Sequence, residues 1–283
     1  MPRVKANGVE LEYETLGRAS DPPMLLIMGL GAQLIDWPDQ FCTGLAGHGY
    51  FVVRYDNRDA GLSTSPDGLT GQLGPPAAAP YLLADLAADA VGLLDALGIQ
   101  RAHVVGASMG GMIAQQVAID HPGRVRSLCS IMSTTGDRSV GWATPEAAGM
   151  LHRPPATNRD EAIAASIAAG RLMGSIGFDA TDDALRQRAE RKYDRAYRPV
   201  GIQRQLAAIY ASPDRTEALH TVTVPTVVIH GALDPLIDIS GGRATADAIP
   251  GAEFVVLPHM GHGIPADAIP VMIEAITRVA RRA

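Results

Sequence analysis

The sequence predicts an α/β fold in which a mostly parallel sheet is flanked by helices on both faces. Short, almost wholly apolar runs recur along the chain, and such runs are typical of strands that are buried on both sides. Segments with apolar residues at helical spacing alternate with these runs, as in repeated strand-helix-strand units. The 283 residues are enough for one large domain with an insertion.

The first half of the predicted sheet opens with a hairpin, because Asn7-Gly8 is a turn signal between two short strand-like segments. Two apolar runs bounded by loop residues then predict buried strands, and the segment between them can form a crossover helix. These elements are the hairpin at residues 4–6 and 11–13, the strands at 24–28 and 50–55, and the helix at 37–47.

The second half opens with a long segment whose apolar residues follow one helix face, and Gly98 ends this helix in the capping position. Pro122-Gly123 stops the next helix, and Pro270 suits the first turn of the last one. The predicted elements are helices at residues 81–97 and 109–120, strands at 103–105, 128–132, 226–229 and 254–257, and a closing helix from residue 270.

The stretch from residue 137 to 214 breaks this alternation, because several helical segments follow one another without a strand. We therefore predict an α/β core formed by residues 1–136 and 215–283, with a helical cap inserted at 137–214. One cap helix carries a basic run with acidic residues interleaved at helical spacing, which is typical of a solvated face. This run comprises Arg186, Arg188, Arg191, Lys192, Arg195 and Arg198.

Composition excludes several classes of function. The net charge of −6 at pH 7 argues against a nucleic-acid partner, because no basic excess is available to neutralise phosphates. Cys42 and Cys129 are too few for a disulfide framework and predict a reducing compartment. No apolar run approaches the roughly 20 residues of a membrane span, and the N-terminus lacks the apolar core of a signal peptide. We expect a cytoplasmic enzyme that does not act at a membrane.

The most informative motif is Gly106-Ala107-Ser108-Met109-Gly110, which matches the G-x-S-x-G pattern between a predicted strand and a predicted helix. A sharp turn at this point strains the backbone and lifts the serine hydroxyl clear of the sheet. Side chains at either end of the motif would collide in such a turn, which explains the two glycines. Ser108 is therefore the candidate nucleophile.

A serine hydroxyl needs a base, and the base needs an acid that orients it. Asp234 and His262 each follow a predicted strand, and the chain order Ser, Asp, His is typical of a nucleophile in this setting. Asp137 is the alternative acid. His259 is interpreted as a loop neighbour rather than a metal ligand, because no further ligand cluster accompanies it. His230 is expected to brace its own loop.

Acyl transfer also requires hydrogen-bond donors aimed at the developing oxyanion. The first expected donor is the backbone N–H of Met109, which follows the nucleophile. The second is the backbone N–H of Leu30, in the glycine-rich loop after the strand at 24–28. Gly29 would let the backbone of that loop turn inward.

These and other segments make the chain resemble the α/β-hydrolase family, and within it the methylesterase group that includes aclacinomycin methylesterase. The resemblance covers both halves of the core, fades in the predicted cap, and implies the same triad and the same two donors. Many members have His-Gly where this chain has Met28-Gly29, a difference that leaves the backbone donor intact. The matching segments are residues 28–29, 37–39, 54–59, Gly61, Ser63, 104–110, 224–226 and 261–262.

The predicted activity is hydrolysis of a small-molecule carboxylic ester through an acyl-enzyme, with neither a cofactor nor a metal. The same triad also allows perhydrolysis or haloperoxidase-like chemistry with peroxide, and cleavage of a carbon–carbon bond in a diketone. A ligand-binding sensor with a residual triad is the non-enzymatic alternative, although binding alone needs no activated serine. Epoxide hydrolysis and dehalogenation are disfavoured because both need a carboxylate at position 108.

Apolar residues that cluster in the predicted cap are candidates for an acyl or aromatic pocket, with packing between helices as the alternative explanation. The sequence leaves the oligomeric state open, with a homo-oligomer among the alternatives. The candidate pocket residues are Met150, Leu172, Met173, Ile176 and Phe178.

Overall fold

The computed structural model describes residues 2–65, 79–175 and 181–283. Its sheet, within these residues, contains β1 (Arg3–Ala6), β2 (Val9–Leu16), β3 (Pro23–Ile27), β4 (Phe51–Tyr55), β5 (Ala102–Ala107), β6 (Val125–Ile131), β7 (Thr226–Gly231) and β8 (Glu253–Leu257). The helices are α1 (Asp39–Gly47), α2 (Leu83–Ala96), α3 (Met109–Asp120), α4 (Pro145–Leu151), α5 (Arg159–Met173), α6 (Asp182–Arg195), α7 (Pro199–Ala211), α8 (Thr216–Leu219), α9 (Ile239–Ala248) and α10 (Ile269–Ala280).

The eight strands described form one sheet in the order β1-β2-β4-β3-β5-β6-β7-β8. The pairs β1–β2 and β2–β4 are antiparallel, and all pairs from β4 to β8 are parallel. The prediction of a mostly parallel sheet is therefore confirmed. Because parallel strands end at the same edge, the loops after β3, β5, β7 and β8 emerge together there.

Successive residues of the central strands bury their side chains in two different cores. In β3, Leu25 and Ile27 pack toward α2 and α3, whereas Met24 and Leu26 pack toward α1 and α10. All four side chains are fully buried. This alternation follows from the two-residue period of a strand, and it explains why the strand reads as a continuous apolar run.

The ends of some predicted elements differ from the structure for local reasons. The predicted helix at 37–47 begins at Asp39, because Trp37 is extended before Pro38 and is preceded by a 3-10 turn at Leu34–Asp36. Helix α9 was not predicted, since Gly241 and Gly242 weaken its helical pattern. Those glycines are needed where the helix packs closely: a Cβ at position 242 would overlap the ring of His230.

Helices α4 to α7 lie between β6 and β7 in the chain, and α6 is bound to the core by its basic residues. The guanidinium of Arg195 lies 2.8 Å from the buried carboxylate of Asp56, and its side chain is only 10% exposed. The expectation of a solvated basic face is therefore wrong for Arg195, because this side chain pairs with the buried carboxylate of Asp56. Asp56 lies far from Arg195 in the sequence, so the local pattern could not indicate the contact. Several other residues of the run, including Arg186 and Arg191, are exposed as expected.

Asp36 forms a second ionic contact between α6 and the core. Its carboxylate lies 3.1 Å from both Arg188 and Lys192. Burial of Asp36 opposes its ionisation, but the two cations outweigh this effect and lower the pKa of the carboxyl to about 2. The contact is therefore ionic at neutral pH.

No helix in the described parts of the chain is long and apolar enough to cross a membrane.

Candidate active site

Ser108 occupies a strained turn between β5 and α3, with φ of 57° and ψ of −121°. Non-glycine residues seldom adopt positive φ, so surrounding contacts must hold this conformation. A Cβ at Gly106 would overlap the carbonyl of Gly110, and a Cβ at Gly110 would overlap the carbonyl of Ile27. Both glycines of the motif are thus required by close backbone packing. At Gly106 the collision lies within the turn, as the sequence pattern predicts, whereas at Gly110 it is with strand β3.

The loops after β5, β7 and β8 bring Ser108, Asp234 and His262 together. His262 Nε2 lies 2.9 Å from Ser108 Oγ, and His262 Nδ1 lies 2.7 Å from Asp234 Oδ2. An ionised carboxylate can only accept hydrogen bonds, so Nδ1–H donates to Asp234 and Nε2 can accept the serine proton. The Asp234 side chain is fully buried and that of His262 nearly so.

The loop that carries Asp234 is fixed by hydrogen bonds on both sides of the carboxylate. Asp234 Oδ1 accepts the N–H groups of Leu236 at 2.8 Å and Ile237 at 2.9 Å. The carbonyl of Ile237 lies 2.8 Å from Nε2 of buried His230. Burial lowers the pKa of His230, which favours a neutral ring that donates Nε2–H to this carbonyl. His230 braces the acid loop, as the sequence analysis expects.

The other candidate residues of these loops lie outside this chain of hydrogen bonds. The Asp137 carboxylate accepts hydrogen bonds from the N–H and the hydroxyl of Ser139, at 2.8 Å each. His259 is exposed. The geometry therefore favours Asp234 over Asp137 as the partner of His262.

The loop after β3 lies directly against the nucleophile. A Cβ at Gly29 would stand 3.0 Å from Ser108 Cβ and 3.5 Å from its Oγ. The N–H groups of Leu30 and Met109 donate no hydrogen bond to any residue that the structure describes. Two free N–H groups close to a serine hydroxyl can hydrogen-bond an oxyanion that forms there.

Three polar residues hold these loops, and sequence reasoning missed two of them, Ser175 and Gln205, whereas Asn57 lies in a segment that carries the family resemblance. Asn57 Nδ2 donates to the carbonyl of Met28 at 2.9 Å, just before the loop that carries Leu30. Ser175 Oγ accepts the N–H of Gly261 at 3.0 Å, next to His262. The third is Gln205 of α7, described below. Each contact joins residues that are far apart in the chain, so no local pattern could have predicted it.

The candidate pocket residues are only partly within the described chain. Met150, Leu172 and Met173 are half-buried, while Ile176 and Phe178 lie outside the described residues. The end of α5 reaches the histidine loop: a Cβ at Gly261 would overlap the carbonyl of Gly174 and would stand 2.7 Å from that of Met173. The backbone of Met173 therefore lies beside the loop that carries His262.

Comparison with known proteins agrees with this fold. Residues 22–268 match a family described as the alpha/beta hydrolase fold. Rhodomycin D methylesterase DauP of Streptomyces sp. (strain C5) is 32% identical over 280 residues, covering 91% of this chain and 90% of that protein. 3-Oxoadipate enol-lactonase 2 of Acinetobacter baylyi is 27% identical, covering 96% of this chain and 95% of that protein. The crystal structure of the enol-lactonase from Burkholderia xenovorans LB400 superimposes with a TM-score of 0.79 at 24% identity, covering 99% of this chain and 100% of that chain.

The chain therefore belongs to the α/β-hydrolase family. The predictions of this fold and of an ester-hydrolase class of enzyme are confirmed by the family match and by these relatives.

Proposed function

We propose that this protein hydrolyses small carboxylic esters, including methyl esters, with Ser108 as nucleophile. The observation that carries the proposal is the continuous hydrogen-bonded chain from Ser108 through His262 to Asp234. A serine hydroxyl that lies 2.9 Å from an imidazole nitrogen is placed for proton transfer. The names of the methylesterase relatives support the methyl-ester assignment.

In acylation, His262 takes the proton of Ser108 Oγ while this oxygen attacks the ester carbonyl carbon. The carbonyl oxygen becomes an oxyanion, which accepts hydrogen bonds from the N–H groups of Leu30 and Met109. His262 then gives its proton to the leaving alcohol as the carbon–oxygen bond breaks. The product of this half-reaction is an ester between the acyl group and Ser108.

In deacylation, a water molecule attacks the acyl carbon while His262 takes one of its protons. The same N–H groups stabilise the second oxyanion, and its collapse returns the proton to Ser108 and releases the acid. Asp234 stays ionised throughout, because it holds the imidazole tautomer and stabilises the transient imidazolium. These steps use only side-chain and backbone groups of this chain.

We also propose that residues 137–214 form a cap over the core of residues 1–136 and 215–283. Two observations support this division: the structure describes no strand between β6 and β7, and α5 contacts the loop that carries His262.

We also propose a cytoplasmic location. Cys42 and Cys129 are buried and form no disulfide, which supports this proposal.

The proposed function predicts turnover of methyl esters by the purified protein. Methanol release from a series of aryl and alkyl methyl esters should follow saturation kinetics and should be lost in Ser108→Ala. The same protein should be assayed for peroxide-dependent halogenation and for cleavage of a diketone of the ring-fission type. Efficient cleavage of the diketone without methyl-ester turnover would overturn the proposal in favour of a carbon–carbon hydrolase.

We further propose that Met173 lines the acyl pocket, supported by its position beside the histidine loop. Met173→Trp would narrow the pocket, so kcat/KM for long acyl chains should fall about tenfold relative to short ones, as expected for lost space of one or two methylenes. The matched control is Val271→Trp at an exposed position of α10 outside the candidate pocket, assayed with the same p-nitrophenyl esters from acetate to decanoate. Unchanged chain-length preference in Met173→Trp would remove this residue from the pocket.

A further inference from the structure

Gln205 of α7 connects the predicted cap to the loop beside the nucleophile. Its side chain is fully buried, with 0% relative exposure. Its Oε1 accepts the N–H of Gly31 at 2.8 Å, and its Nε2 donates to the carbonyl of Arg58 at 2.7 Å. The amide thus accepts one hydrogen bond and donates another. Its two partners lie in the loops after β3 and β4, which are neighbouring strands of the sheet.

The contact falls within the segment that supplies the proposed second oxyanion donor. We call residues 29–33 the oxyanion loop. Gly31 follows Leu30 directly and has a φ of +61°, a conformation that favours glycine. A Cβ at Gly31 would stand 2.7 Å from Ile202 Cγ1, so α7 packs against this residue as well as hydrogen-bonding it.

Other contacts also hold the oxyanion loop on either side of Leu30, including the hydrogen bonds of its last residue, Gln33. Asn57 holds the carbonyl of Met28 just before it, and Ala32 N–H donates to the carbonyl of Gly29 at 3.2 Å. Between these two contacts, the hydrogen bond from Gly31 N–H to Gln205 holds the peptide after Leu30. An oxyanion donor must reach within about 2.7–3.1 Å of the developing charge, so small shifts of this loop affect catalysis.

We propose that Gln205 is a positioning residue that holds the oxyanion loop, and with it the Leu30 N–H, in its productive place. The inference rests on the proposed function, because it assigns Leu30 to the oxyanion hole. It means that a residue of the cap region, remote in sequence from the triad, helps to form the transition-state binding site.

Gln205→Met tests this role, because it keeps the length of the side chain and removes both hydrogen bonds. We expect kcat and kcat/KM for a methyl ester to fall together by about 10- to 100-fold, with KM within about twofold of its original value. An interaction made only in the transition state produces this pattern, whereas a damaged substrate pocket raises KM. Gln205→Asn, whose amide is too short to reach Gly31, should show the same pattern if Gln205→Met does not fold.

A second readout is independent of the ester chosen. The rate of Ser108 labelling by a fluorophosphonate, followed by intact mass, should fall by a similar factor, because the phosphoryl oxygen uses the same donors. Gln203→Met, the same change two residues away on α7, is the matched control and should label at the original rate. Thermal unfolding of each variant shows whether a loss of activity or labelling comes from a loss of stability.

The outcomes separate the two proposals. If the unmodified protein reacts and Gln205→Met reacts equally fast, with kcat unchanged, the positioning role is wrong and the proposed function stands. A rise in KM at constant kcat would also overturn the positioning role. If the unmodified protein neither hydrolyses esters nor reacts with the fluorophosphonate, the proposed function itself is wrong and the role of Gln205 falls with it.

Discussion

Ser108→Ala is expected to lower kcat for ester hydrolysis by about a millionfold, the loss typical of removing a nucleophile from such a triad. Without Oγ no acyl-enzyme can form, and His262 can only activate water against an ester that the oxyanion donors still bind. The fold should persist, because the hydroxyl contributes one partly buried hydrogen bond, to His262. We expect the free energy of unfolding to change by no more than about 1 kcal/mol.

The measurement is the initial rate with a chromogenic ester, together with urea unfolding of both proteins. Ser127→Ala is the matched control, since Ser127 lies in the same sheet and its buried hydroxyl is 2.8 Å from the ring of His103 instead of the triad histidine. This control should keep its activity even if it loses some stability. Turnover by Ser108→Ala within tenfold of the original rate would show that another group is the nucleophile.

Asp234→Asn is expected to lower kcat by about ten-thousandfold with little change in KM. The asparagine amide can turn its NH2 group toward His262 Nδ1. In the opposite orientation its NH2 group would replace Asp234 Oδ1, and the two backbone hydrogen bonds that this oxygen accepts would be lost. A donor at this position favours the tautomer that carries its proton on Nε2, and that nitrogen could no longer accept the proton of Ser108. The loss therefore comes from the wrong tautomer rather than from a displaced ring.

Two further substitutions make this result specific. Asp238 lies in the same segment, and its carboxylate accepts the N–H of Ser240 at the start of α9. Asp238→Asn should therefore keep nearly full activity. Asp137→Asn removes the alternative acid and should also be active. A larger loss in Asp137→Asn than in Asp234→Asn would contradict the assignment of the orienting carboxylate.

The parts of the site that lie in local motifs could be predicted from the sequence. Gly106 reflects a steric requirement that acts within the five-residue motif, because its Cβ would meet the carbonyl of Gly110, so this part of the pattern predicts the turn without knowledge of the fold. Gly110 instead makes room for the carbonyl of Ile27 in the neighbouring strand β3, a contact that only the fold shows. Asp234 and His262 could be placed because each follows an apolar strand, and parallel strands end at one edge of the sheet. These three residues come together in the structure as the pattern indicates.

The supporting contacts could not be predicted, because their partners are distant in the chain. Nothing near Gln205 indicates that its amide meets Gly31, and nothing near Arg195 indicates a buried partner at Asp56. A basic residue among acidic neighbours is typical of a solvated helix, and only the fold shows that one face of α6 lies against the core. Helix α9 was not predicted for a similar reason. Its glycines are unfavourable in a helix, and their close packing against neighbouring residues is known only from the fold.

Trapping of the covalent intermediate tests the central claim most directly. The protein should be mixed with excess p-nitrophenyl acetate, quenched in acid during turnover, and digested for peptide mass mapping. We expect one acetyl group per chain on the peptide that contains Ser108, and none in Ser108→Ala. Steady turnover with no acetylated peptide at any quench time, or acetylation at another residue that accounts for the rate, would contradict the mechanism.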